Sequence, residues 1–195
     1  LFKRYSLELG GKNAIILDKD LNLDNALDYV IQSSFSLSGQ RCSAASKIFI
    51  HEEIYETFLQ KLISSVKNGI KNNDTTFTCP LITKDSEERI LSKLSKINKE
   101  NKVTFERPTS VNSDSYYIEP TLLVNLKLDH EINSEELFGP VATVNKYKEI
   151  DEVLEDINSS DFGLTCSLHT NNLNLSEKSR TPRLDNLEMT NRNYE

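Results

Sequence analysis

Asn13-Ala14-Ile15-Ile16-Leu17 is a continuous apolar run of buried-strand length, closed by the polar connection Asp18-Lys19-Asp20. Behind it Leu23, Ala26, Leu27, Val30, Ile31 and Ser34 recur at i, i+3, i+4, i+7, i+8 and i+11. That spacing places them on one face of a helix running from about Asn22 to about Leu37. Lys47-Ile48-Phe49-Ile50 reads as a strand again. A strand, an amphipathic helix and a second strand in that order are the unit of a layered α/β domain.

The alternation continues downstream. Ile54, Phe58, Leu59, Leu62, Ile63 and Val66 mark a helix from about Glu52 to Ser65, followed by a polar loop from Asn68 to Phe77. Ile90, Leu91, Leu94 and Ile97 mark another from about Lys84 to Asn98. Val103-Thr104-Phe105 is strand-like, and Arg107 to Ser115 reads as a loop. Tyr117 to Val124 is extended, because the residue before Pro120 avoids the α region. Val141 to Tyr147 reads as a strand, Ile150 to Ile157 as a short helix, and Gly163 to His169 as a strand. Upstream of the opening run, Tyr5 to Leu9 reads as a short strand ended by Gly10-Gly11. Apolar residues thin out after Asn171, so 171–195 reads as a divergent, exposed and disordered tail behind a domain of residues 1–170. No internal repeat is present.

Composition narrows the function classes. The net charge of −7 argues against nucleic acid as a partner, since phosphate binding needs clustered Lys and Arg. No apolar run approaches the about 20 residues that cross a bilayer, and no signal peptide is visible, so no membrane association is expected. The chain opens on Leu1 rather than Met, which suggests that its true beginning lies upstream. Three widely spaced cysteines, Cys42, Cys79 and Cys166, make neither a disulfide framework nor a metal-ligand pair. A reducing, cytoplasmic location follows.

The candidate chemistry centres on Ser38-Gly39-Gln40-Arg41-Cys42-Ser43, a cysteine among small and polar residues directly after an amphipathic segment. By itself such a cysteine is more often a small core residue than a nucleophile. Arg41 and the nearby helix end lower its pKa or leave it alone, depending on direction. Glu8, in Leu7-Glu8-Leu9-Gly10-Gly11, is either the wet face of a strand or a carboxylate in a crowded site. The glycine pair allows a turn or a close backbone approach. A thiol and a carboxylate can divide a reaction, with sulfur attacking and the carboxylate activating water. Gly10-Gly11-Lys12 is no phosphate loop, and no dinucleotide fingerprint is present. Glu136 and Phe138 are either an ordinary turn or a sugar-binding carboxylate beside a stacking ring. His51, His130 and His169 read as surface or structural, and Cys79 and Cys166 as packing residues.

Together these stretches resemble the aldehyde dehydrogenase superfamily. Glu8-Leu9-Gly10-Gly11-Lys12-Asn13 resembles its E-L-G-G-K motif, Gly39-Gln40-Arg41-Cys42 its G-Q-x-C motif, and Glu136-Leu137-Phe138-Gly139-Pro140-Val141 its E-I-F-G-P-V motif. Pro80-Leu81-Ile82, Glu119-Pro120-Thr121 and Phe162-Gly163-Leu164 fall in order where the family has G-P-L-I, F-x-P-T and Y-G-L. The likeness covers about residues 5 to 170 and implies an α/β, aldehyde dehydrogenase-like catalytic domain, three-layered around a mostly parallel sheet, and incomplete.

The resemblance implies that Cys42 attacks an aldehyde as thiolate and that its backbone N–H helps hold the oxyanion. NAD or NADP takes the hydride, and Glu8 activates the water that cleaves the resulting thioester. Leu9 and Gly10 would line the nicotinamide pocket, Glu136 would bind the nicotinamide ribose, and Phe138 would pack near the ring. The expected substrate is a small-molecule aldehyde or semialdehyde, and full-length relatives are expected to be homo-oligomers. Only Leu1 to Leu7 precede Glu8, so the family's upstream cofactor contacts and oxyanion-hole asparagine are missing from this stretch. A fragment with weak or no dehydrogenase activity alone is therefore expected. The alternatives are a cofactor-independent thiol esterase and a non-catalytic remnant that binds a partner subunit.

Overall fold

The structure is a computed structural model that describes residues 4–71, 78–107, 111–112 and 114–180. Six strands form one sheet: β1 (Asn13–Leu17), β2 (Ala45–His51), β3 (Lys102–Thr104), β4 (Thr121–Val124), β5 (Val141–Tyr147) and β6 (Cys166–His169). Their spatial order is β3-β4-β5-β2-β1-β6. Every pairing is parallel except β3 with β4. The helices are α1 (Leu23–Phe35), α2 (Tyr55–Lys71), α3 (Lys84–Ser95), α4 (Ile150–Asn158) and α5 (Leu173–Arg180).

Central strands of such a sheet are apolar on both faces, and the alternation of side chains decides which helix each residue meets. Ile15, Leu17, Ile48, Ile50, Leu122 and Val144 pack against α1 and α2 through Val30, Phe35, Phe58 and Leu62. On the opposite face Ala14, Ile16 and Phe49 meet Val153 of α4. Leu123 and Val141 meet Ile90 and Leu94 of α3. Helices thus cover both faces, giving the three layers that the resemblance implies.

Local signals fix the helix starts. Asn22 caps α1, its side chain accepting the N–H groups of Asp24 and Asn25 at 3.1 and 3.0 Å. Thr83 does the same for α3, accepting from the Ser86 N–H at 3.2 Å. Among the described residues no helix is long and apolar enough to cross a membrane.

Several elements differ from the sequence reading. Tyr5 to Leu9 is not a strand: Tyr5, Leu7 and Leu9 are 81, 76 and 61% exposed. Alternation makes a strand only where a neighbour offers its ladder, and among the described residues β1 is already flanked by β2 and β6. β6 begins at Cys166 rather than Gly163, because the Thr165 N–H is taken by the Asn13 side chain. α2 runs on to Lys71, and the rest of the expected polar loop, 72–77, lies outside the described residues. α3 stops at Ser95. Leu173–Arg180 is helical within the stretch read as a tail, whose residues 181–195 lie outside the described residues.

Candidate active site

Strands β1, β2, β5 and β6 are parallel, so the loops that precede them gather at one edge of the sheet. Those loops carry Glu8 to Lys12, Gly39 to Ala44, Glu136 to Pro140 and Gly163 to Thr165. The motifs singled out in the sequence thus converge at the amino ends of the strands. Open α/β sheets more often place their sites at the carboxyl ends.

Asn13 ties three of these segments together. It is 3% exposed, and its Nδ2 donates to the Cys42 carbonyl at 2.7 Å and to the Ala44 carbonyl at 3.0 Å. Its Oδ1 accepts the Thr165 N–H at 3.0 Å. One buried amide therefore spends donor and acceptor on the cysteine loop and the entry to β6. The sequence shows Asn13 as the head of a strand and the last residue of the E-L-G-G-K-like stretch, with no role of its own. A polar residue leading a fully apolar run was the available signal, since such a group must find partners when buried.

The turn into Cys42 is left-handed. Leu37, Ser38 and Gly39 have φ of 54, 54 and 65°. For a non-glycine residue that conformation costs about 1–2 kcal/mol, so the surroundings must impose it. Ser38 is fully buried, and its Oγ donates to the Cys79 carbonyl at 2.6 Å and accepts the Cys79 N–H at 2.8 Å. Gln40 adds a bond to the Pro80 carbonyl at 3.2 Å and accepts the Ile82 N–H at 3.1 Å. A Cβ on Gly39 would lie 2.5 Å from the Gly139 carbonyl oxygen, so a glycine is required where the Cys42 and Glu136 loops touch.

Arg41 Nη2 donates to the carbonyls of Gln32 and Ser33 at 2.8 and 3.0 Å, so its guanidinium is committed to the carboxyl end of α1. Cys42 itself is exposed, and among the described residues no acceptor takes its backbone N–H.

The Glu136 loop is held from two sides. The Gly11 N–H donates to Glu136 Oε1 at 2.9 Å. From α3, Arg89 Nη2 donates to the Leu137 carbonyl at 2.6 Å and Nη1 to that of Glu136 at 3.4 Å. Gly10 lies under Oε2, which would collide with any Cβ placed there. Phe138 follows with φ of 52° and is 41% exposed. One Glu136 oxygen is thus fixed, and among the described residues no hydrogen bond engages the other.

The structure thus joins Gly10 and Glu136 directly, and sets the Cys42 loop against the same glycine turn: a Cβ on Gly11 would lie 2.8 Å from the Cys42 carbonyl oxygen. It does not tie Glu8 in. Glu8 is exposed, and among the described residues nothing hydrogen-bonds or ion-pairs with it. Between the loops lies a narrow cleft whose lining includes Ser34, Arg41, Ser46 and Glu136. Ser34 Oγ, Arg41 Nε and Ser46 Oγ are buried there without a partner among the described residues.

Lys12 was read only as the end of a motif. It is 7% exposed, and burial pushes its ammonium down to about 7. Lys47 pushes the same way, against the pull of Glu135 and Glu136. The three histidines are engaged elsewhere. His51 packs edge-on against Tyr147, His130 Nδ1 accepts the Ile132 N–H at 3.2 Å, and His169 lies against Tyr29. Cys79 and Cys166 are half-buried free thiols.

The comparisons with known proteins agree with this arrangement. Residues 1–182 match the aldehyde dehydrogenase family. A 1-pyrroline-5-carboxylate dehydrogenase from Staphylococcus saprophyticus is 37% identical over 172 residues, which are 87% of this chain and 33% of that protein. The chain therefore spans about a third of the length of the curated relatives it matches. Among solved structures, an NAD+ complex of an aldehyde dehydrogenase from Bacillus cereus superposes with a TM-score of 0.77 at 31% identity, over 88% of this chain and 36% of that one. Proline utilization A from Bdellovibrio bacteriovorus superposes with a TM-score of 0.78 at 32% identity, over 88% of this chain and 18% of that one. With its motif loops gathered at one sheet edge and a family match along nearly its whole length, this chain belongs to the aldehyde dehydrogenase family.

Proposed function

We propose that the chain is the catalytic-domain portion of an enzyme that oxidises a small aldehyde or semialdehyde to its carboxylic acid, with NAD or NADP as hydride acceptor. The observation that carries this reading is the meeting of three loops at one sheet edge: the one with Cys42, the Gly10-Gly11 turn and the one with Glu136 and Phe138. Cys42 Sγ, as thiolate, attacks the carbonyl carbon and forms a thiohemiacetal. The Cys42 N–H, with no acceptor among the described residues, is available to the developing oxyanion. The bound nicotinamide supplies the hydride acceptor. Hydride loss leaves an acyl thioester on Cys42. Glu8 takes a proton from the water that attacks this thioester, and the acid leaves as the thiol is regenerated.

Glu136 holds the ribose with the oxygen that Gly11 leaves free, and Leu9 and Phe138 flank the flat ring. Gly10 keeps that carboxylate in place by having no Cβ. Relatives named 1-pyrroline-5-carboxylate dehydrogenase favour a substrate of that kind, whose hydrolysed ring is a semialdehyde. The same reading places the protein in the cytoplasm and expects its full-length relatives to be homo-oligomers. Cys42, Glu8, Leu9 and Phe138 are all exposed in these 195 residues, and weak or no dehydrogenase activity is expected of them alone.

The test is nicotinamide reduction by the protein as its source cell makes it, offered 1-pyrroline-5-carboxylate and a panel of small aldehydes with each cofactor. Aldehyde-dependent reduction that disappears in Cys42→Ala is expected. Ester cleavage without any cofactor-dependent oxidation would replace this reading with the esterase.

A further inference from the structure

Lys12 sits where a lysine rarely sits without a partner. It is 7% exposed, and among the described residues no hydrogen bond or ion pair engages its ammonium. The neighbouring buried lysine, Lys47, is by contrast satisfied, with its Nζ 2.9 Å from Asp156 Oδ2. Lys12 lines a cavity on the α4 face of the sheet, with Lys47 and the apolar walls Ile157, Phe162 and Leu164. That cavity holds about 50 Å³, and Lys47, Ser160 and Asp161 also line an adjoining one of about 330 Å³. This cavity shares none of its lining with the cleft between the Cys42 and Glu136 loops.

We propose that Lys12 is a carbonyl-reactive amine that captures small aliphatic aldehydes as a Schiff base in this cavity, independently of Cys42. The Lys12 Nζ lone pair attacks the aldehyde carbon, a carbinolamine forms, and water leaves to give the imine. Carbonyl oxygen and two nitrogen-bound hydrogens depart as that water, so no redox partner is needed. The alkyl chain lies against Ile157, Phe162 and Leu164.

The charged groups around Lys12 set when it is free to react. Lys47 on β2 opposes its protonation, while Glu135 and Glu136, before β5, favour it. Asp156 on α4 is taken by Lys47, Asp161 lines the cavity after α4, and the Cys166 thiol on β6 is pushed by burial up to about 11 and stays neutral. With Lys12 lowered to about 7, its unprotonated fraction at neutral pH exceeds that of an ordinary lysine by on the order of 10³. Restricted access removes part of that advantage.

The experiment is reductive trapping. The protein as its source cell makes it, and its Cys42→Ser variant, are treated with propanal and cyanoborohydride at neutral pH. The propylated lysines are then mapped by peptide mass spectrometry over time. Lys12 is expected to be modified at least about tenfold faster than exposed lysines such as Lys19 and Lys84, equally in both proteins. Its rate is expected to level off just above neutrality, while theirs keeps climbing. Labelling of Lys12 no faster than the exposed lysines, or none at all, overturns the proposal. Labelling lost in Cys42→Ser also overturns it, because the aldehyde would then reach Lys12 only through the Cys42 chemistry. A Cys42 that proves catalytically silent leaves the Lys12 result standing, so the two readings fail separately.

Discussion

Replacing Asn13 should unfasten the candidate site from the sheet. Its side chain makes three bonds, to the Cys42 and Ala44 carbonyls and from the Thr165 N–H, at 2.7, 3.0 and 3.0 Å. Asn13→Ala leaves all three backbone groups without that partner at the end of a buried strand. An unsatisfied buried group costs about 1–3 kcal/mol. Water reaches the two carbonyls in the half-open loop and offsets part of this, so a total of about 3 kcal/mol is expected. Asn13→Asp separates the bonds from mere volume. It keeps an acceptor for Thr165 but sets a carboxylate oxygen against the carbonyls of Cys42 and Ala44, so it should destabilise about as much as alanine. The assay is urea unfolding, read as a change in midpoint at constant slope. Alkylation of Cys42 by iodoacetamide, followed in parallel, should change in rate because its loop loses an anchor. Losses below about 1 kcal/mol for both variants, or an Asp variant as stable as the parent, would refute the role assigned to this amide.

Two further substitutions probe the backbone contacts and the buried lysine. Gly39→Ala forces a Cβ to within 2.5 Å of the Gly139 carbonyl oxygen at a φ of 65°, backbone against backbone. A loss of more than about 2 kcal/mol in urea unfolding is expected. Gly10→Ala meets only the movable end of Glu136, so stability should fall by under about 1 kcal/mol while affinity for the nicotinamide cofactor drops, as read by titration calorimetry. Lys12 in the folded protein gives up its proton near pH 7, whereas in the unfolded chain it holds it to its ordinary value of 10.5. The unfolded state therefore binds more protons between these values, and stability should rise with pH across that window. The rise is about 1.4 kcal/mol per unit at most, and Lys12→Met should remove it from a series of unfolding curves.

The periodic segments were legible because their period is their packing. Ala26, Leu27, Val30 and Ile31 face the sheet as the helical spacing demanded, and Ile15, Leu17, Ile48 and Ile50 line the same core from their alternating positions. Tyr5 to Leu9 shows the boundary of that logic: alternation is necessary for a strand, but a partner strand is what makes one. The left-handed Leu37 and Ser38 had no local signal, since nothing in a leucine or serine favours positive φ. Ser38 is held by Cys79, which is remote in sequence and grips its hydroxyl. The same holds for Arg89, whose hold on the Glu136 loop follows from where α3 packs. Motif residues could be named in advance. Which of them touch depended on the parallel pairing that brings four loops to one edge.

The division of labour between Cys42 and Glu8 is tested most directly by intact-mass measurement of Glu8→Gln after one exposure to aldehyde and cofactor. With attack by sulfur intact and water activation removed, an acyl group is expected to accumulate on the protein, to map to Cys42 and to be released by hydroxylamine. An acyl group that never appears, while Glu8→Gln turns over as fast as the parent, would remove Glu8 from the role of base.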